Sequence, residues 1–217
     1  MADETIEDRK KTPMNLTSTN SLRKTSHTPR SLKVELLVLA LIFVVGFSSR
    51  ILLDDLPNFK PVAALALFGG FYFQRSTLAV LGLVAILMVS DFFLGSYPLA
   101  IALSVYASLG LGVWLGRRFK GSESSNHFTR YGGVAAASLV MAVVFFILTN
   151  LAVWGAWYPT TFEGLVACYV SAIPFFKYTL AGNLFFSVAA FGTYDLVRAM
   201  LAKRTPAAVP SAAVQTS

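Results

Sequence analysis

Residues 158–186 read YPTTFEGLVACYVSAIPFFKYTLAGNLFF, and the number of membrane crossings turns on whether they hold one crossing or two. The part from 158 to 176 is apolar enough to be counted as a crossing by itself. Thr160 and Glu163 make a capping-box pattern that starts a helix near Thr161, and Pro174 is expected to end it after about 12 residues. Twelve residues rise about 18 Å, short of a hydrocarbon core of roughly 30 Å. The expectation is therefore a short re-entrant or interfacial helix on the outer side, followed by a crossing from about 178 to 202.

Five further apolar runs precede this stretch, at about 34–53, 61–75, 77–95, 98–117 and 131–153. The second is short for a full crossing, so it must tilt, sit beside thinned bilayer or be shielded by its neighbours. The chain is 55% hydrophobic and 13% charged, with a mean hydropathy of +0.63. That balance fits a multi-span membrane protein better than a soluble domain. The net charge of +7 is scattered between the apolar runs and forms no single basic patch, so nucleic acid is not an expected partner. Basic residues beside apolar runs read as topology.

Charge decides between six and seven crossings. With six, and the N-terminus inside, only Arg50, Lys60 and Lys177 of the 18 basic residues fall outside. A seventh would carry Arg198, Lys203 and Arg204 to the wrong side. The fold expected is all-α, a polytopic bundle of six transmembrane helices plus the short outer helix, with both termini cytoplasmic. Its domain covers 33–202. Residues 1–32 and 203–217 are polar or of low complexity and read as disordered cytoplasmic tails, the first lacking the apolar core of a signal peptide. The bilayer is the expected partner, in a multi-pass protein of the cell (inner) membrane.

The polar residues of the runs gather on one side. Arg50 lies near the outer end of the first crossing, Asp91 of the third and Asn150 of the fifth, while Lys177 and Asn183 open the sixth. The outer loops add Asn58, Tyr97, Trp154, Trp157 and Tyr158. Ionisable groups in membrane segments are costly and usually face a bundle interior or wet cavity, paired with one another. These ten residues are the candidate solute-binding set, with the aromatic side chains as flat walls carrying polar edges. Each basic or aromatic residue alone also fits an interfacial belt or a snorkelling side chain. Asp91 and Asn150 are too short to snorkel far, and they carry the cavity reading.

Other polar features read as architecture. Asp195 and Arg198, three apart, are expected to form a local ion pair. Ser104, Ser108, Gly112 and Gly116 form a small-residue ridge for close helix approach. Cys168, the one cysteine, reads as packed. His27 and His127 both fall in polar segments, so no histidine cluster forms within the apolar part, and no metal or cofactor is expected. The sequence holds no phosphate loop, H-E-x-x-H or G-x-S-x-G motif, so an enzyme using those motifs is not expected.

The stretches PNFKPVAALALFGGFYF, SDFFLG, TNLAVW and YPTTFEGLVACYVSAIPFFKYTLAGNLFF resemble a family of uncharacterised bacterial integral membrane proteins, over about 45–195. That family is labelled as putative transport proteins and is grouped with the substrate-binding S components of energy-coupling-factor transporters. The resemblance implies an S-component-like bundle that captures a vitamin-sized or other small solute from outside. It also implies partners, a coupling membrane subunit and two ATPases. S components often carry an Ala-x-x-x-Ala docking patch on the first helix. Here the first crossing has only Ala40, with Ala66 and Gly70 in the second run as a substitute. The rival expectation is a non-transporting scaffold or accessory subunit whose polar residues serve packing alone.

Overall fold

The computed structural model describes residues 31–53, 55–56, 58–95, 97–122 and 126–204. The expected tails fall outside them except at their inner edges, where Leu32 and residues 203–204 are helical. Among the described residues six helices follow one another: α1 (Leu32–Leu52), α2 (Val62–Tyr72), α3 (Ser76–Leu94), α4 (Leu99–Arg117), α5 (His127–Trp157) and α6 (Phe162–Arg204). There is no strand among the described residues. All but α2 are long and apolar enough to cross a membrane. Large apolar side chains such as Leu37, Leu81, Phe92, Leu103 and Phe185 cover the outside of the bundle, as expected where lipid is the solvent.

The short second run is shielded. Helix α2 has 11 residues, about 16 Å of rise, and every one except Ala63 is buried. It packs most extensively on α4, then on α6 and α3. The small-residue ridge of α4 makes the closest of these approaches. A Cβ on Gly70 of α2 would overlap the Val113 carbonyl, and one on Gly116 of α4 would overlap the Leu67 carbonyl. Ser104 and Ser108, on the same ridge, turn their hydroxyls onto the Ile101 and Ser104 carbonyls of their own helix. Helix α1 flanks α3 through Gly46 against Ile86 and Gly82 against Leu39.

The separate outer helix is not formed. Residues 162–204 make one continuous helix of 43 residues with Pro174 inside it. The start is close to expectation but one residue later in its cap. Thr161, and not Thr160, accepts the Gly164 N–H at 3.1 Å. The stop at Pro174 fails for a physical reason. Proline removes one helical hydrogen bond, the one Val170 would accept. Ending a helix there and starting another would orphan about four N–H and four C=O groups beside an apolar surface. Continuing through the proline is the smaller loss. At 1.5 Å per residue α6 is about 64 Å long, twice a hydrocarbon core, and its N-terminal half lies along α5. Tyr169 donates to the Ile147 carbonyl (2.7 Å) and the Cys168 thiol to the Asn150 carbonyl (3.4 Å), while Phe146 meets the rings of Tyr169 and Phe176.

One end of the bundle is closed. Phe68, Phe71, Tyr72, Phe119, Phe191 and Tyr194 pack ring on ring there. Glu35 of α1 accepts the Gln74 N–H at 2.9 Å, Arg117 of α4 donates to Ser76, and Lys120, just past α4, donates to the Gln74 carbonyl, so two helices and the turn after α4 pin the α2–α3 turn. Asp195 does not pair locally with Arg198. Its carboxylate accepts from Arg130 (2.8 and 3.0 Å) and from Tyr131 (2.9 Å), both on α5. On a helix surface a three-residue spacing permits a contact, but the buried Arg130 has the larger need for a counter-charge.

Candidate functional site

At the other end α1, α3 and α5 finish and α2, α4 and α6 begin, and between them lies a cavity of about 360 Å³. This is within the roughly 300–1,000 Å³ range of small-molecule sites. Arg50, in the last turn of α1, and Asp91, in the last turn of α3, meet in its lining at 2.5 Å. The Arg50 side chain is 8% exposed and that of Asp91 22%, so the pair is mostly withdrawn from solvent and the carboxylate is its more accessible member. Each charge compensates the other, which is how ionisable groups persist at such depth.

Helix α5 supplies Phe145, Phe146, Thr149, Asn150, Val153 and Trp157 to the lining; α6 supplies Ala172, Phe175, Thr179 and Asn183. Both sets recur at spacings of three and four, the signature of one helix face. Helix α4 and the segment before it contribute Tyr97, Ile101, Ala102, Val105, Tyr106 and Leu109. The loop ahead of α2 adds Asn58 and Lys60. Asn58 has φ +61°, a left-handed conformation that asparagine tolerates better than most residues.

The floor is a buried polar layer. Asn183 donates to the Ser138 carbonyl (3.4 Å), and Ser138 and Ser187 share a hydrogen bond of 3.0 Å. Asn183, Ser138 and Ser187 are all nearly inaccessible, and each takes part in a hydrogen bond within this layer. Beneath them sits the aromatic cluster of the closed end, with Phe191 one turn beyond Ser187.

Of the ten residues expected from the sequence, seven line this cavity: Arg50, Asn58, Asp91, Tyr97, Asn150, Trp157 and Asn183. Trp154, Tyr158 and Lys177 do not. Trp154 donates its indole N–H to the Pro159 carbonyl at 2.9 Å, bracing the α5–α6 turn instead of forming a wall. Tyr158 lies in that turn, just past the last residue of α5. Lys177 is exposed, with its ammonium 5.0 Å from the Tyr178 ring; it holds its charge on the outside of α6, where a long side chain snorkels. Sequence reasoning missed Lys60, Tyr106, Thr149 and Thr179. Thr149 and Thr179 were within reach, because Thr149 adjoins Asn150 and Thr179 lies one turn before Asn183.

No curated protein and no solved structure matches the chain. A family model matches residues 30–208, and on that match, which covers every helix described above, the chain belongs to a family of unknown function (DUF6580).

Proposed function

We propose that the protein is a membrane transport protein, S-component-like in plan, that takes a small solute from outside into the cavity beside Arg50 and Asp91. The observation that carries the reading is that ion pair, a nearly buried cation and its counter-ion set into the wall of a cavity of solute size. Orientation supports it. Lys33, Arg75, Arg117, Arg118, Lys120, Arg130, Arg198 and Lys203 lie within the last two turns of the helices, or beyond them, at the end opposite the cavity. The positive-inside rule would put that end in the cytoplasm of the cell membrane and turn the cavity outward.

Delivery would then use an energising partner, a coupling subunit with ATPases. The substitute docking patch does not serve it, because Ala66 and Gly70 are spent inside the bundle against α4, so such a partner would meet another surface. The rival reading, a scaffold or accessory subunit, is favoured by the mutual satisfaction of Arg50 and Asp91. A thermal-shift screen of the detergent-purified protein separates the two, run over vitamins, their precursors, amino acids and corrinoids beside Asp91→Ala. A solute that raises the Tm of the wild type and not of the variant supports transport binding at this site. A flat response from a folded, monodisperse sample favours the scaffold.

A further inference from the structure

We propose that the cavity selects a ligand that gives hydrogen bonds: a small flat amine, amidine or amino-substituted heterocycle, in preference to a carboxylate or phosphate. This rests on the cavity being a solute site. The polar side chains deep in its lining have spent donor hydrogens on the helix backbone. Thr149 donates to the Phe145 carbonyl (2.7 Å) and Thr179 to the Phe175 carbonyl (3.4 Å). A hydroxyl has one hydrogen, so what both can still offer is oxygen lone pairs. Asn150 donates its amide to the Phe146 carbonyl (2.8 Å) and Asn183 to the Ser138 carbonyl (3.4 Å). A carbonyl partner only accepts, which fixes the amide orientation and leaves each side-chain oxygen uncommitted. Each amide keeps a second N–H, and Asn58, Lys60, Tyr97, Tyr106 and Trp157 bring donors to the rest of the lining, so it is the deep set on α5 and α6 that is weighted toward acceptors.

Asp91 adds the charge. Arg50 reaches its Oδ1 through one nitrogen, and among the described residues no hydrogen bond reaches Oδ2. Arg50 is the more buried partner, so an approaching ligand meets the carboxylate more readily than the guanidinium. An anion that took Arg50 from Asp91 would leave that carboxylate without its counter-charge. A ligand bearing N–H groups leaves the pair intact and answers the acceptors. The rings of Phe146, Phe175, Tyr106 and Trp157 give it flat faces, which attract a cation through their quadrupoles.

The test is a thermal shift of the purified full chain with matched probes, benzamidine against benzoate and 2-aminopyrimidine against pyrimidine-2-carboxylate. The N–H member of each pair is expected to raise the Tm and the carboxylate to leave it unchanged. Thr149→Val with Thr179→Val, nearly isosteric, should weaken amidine binding about tenfold, and Asp91→Asn should abolish the preference. Stabilisation by the carboxylates instead, or by neither probe while the broader solute screen finds a ligand, would overturn the donor-ligand inference and leave solute binding standing. Silence in every screen overturns both.

Discussion

Arg130, in the first turn of α5, and Asp195, on the antiparallel α6, clamp the closed end of the bundle through hydrogen bonds of 2.8 and 3.0 Å from a single guanidinium nitrogen. Among the described residues the other two guanidinium nitrogens have no hydrogen-bond partner. They lie among rings instead, with the guanidinium carbon 5.2 Å from the Phe71 centroid and 5.5 Å from that of Phe191. The charge therefore leans on Asp195 and on ring quadrupoles together.

Asp195→Ala should cost about 3–5 kcal/mol, because it leaves a buried cation uncompensated. Arg130→Met combined with Asp195→Leu removes both charges and should recover most of that loss. Unfolding in mixed detergent with a denaturant measures both. Equal damage from the single and the double change would mean that the pair matters for its shape and not its charge.

How much of this was legible in the sequence follows from which residues carry local signals. Five long apolar helices were, because runs of twenty apolar residues have few other readings. The continuity of α6 was not, because the proline rule is calibrated on helices whose freed carbonyls find water. Asp91 and Asn150 pointed to the cavity because short polar groups in an apolar run must be satisfied somewhere. Lys177 misled because similar depth was read as a shared face. It lies six residues before Asn183, about 600° along the helix and thus well over 90° away round its axis. Thr179, Phe175 and Ala172 hold the face that Lys177 does not, and that spacing was available to count. Trp154 failed differently. It is one turn from Asn150, and only the position of the Pro159 carbonyl, set by the turn, draws its indole away.

Lys177→Ala should leave solute binding within about twofold of the wild type, since an exposed side chain off the cavity loses only a local cation–π contact. Uptake or binding by this variant, read beside Asp91→Ala, checks the assignment. A loss as deep as that of Asp91→Ala would put Lys177 back in the site.

The α2–α4 approach predicts a contrast among glycines. Gly70→Ala and Gly116→Ala set a methyl group into the carbonyls of Val113 and Leu67, and overpacking of this kind costs about 1–3 kcal/mol or more. Gly110→Ala, on the same helix as Gly116 with nothing within 4 Å of the added carbon, should be neutral or stabilising by up to about 1 kcal/mol from helix propensity. Thermal melting in detergent ranks the three. Equal tolerance at all of them would show α2 to be loosely held.

On the proposed function Arg50 and Asp91 carry two roles, in stability and in binding, that charge reversal can separate. Asp91→Ala leaves Arg50 nearly buried and without its counter-ion, so this variant should lose stability as well as ligand. The loss should be about 1–3 kcal/mol, below that of Asp195→Ala, because Asp91 is itself partly exposed and solvent screens the pair. Arg50→Asp combined with Asp91→Arg restores an ion pair across the same α1–α3 contact, and melting should return most of the way to wild type. Binding should not return with it, because the more accessible member of the pair would now be a cation. Paired melting and binding curves for the two single variants and the exchange make the test. If the exchange recovers both stability and ligand, the solute reads the pair only as a neutral unit, and the acceptor groups of α5 and α6 alone set its orientation.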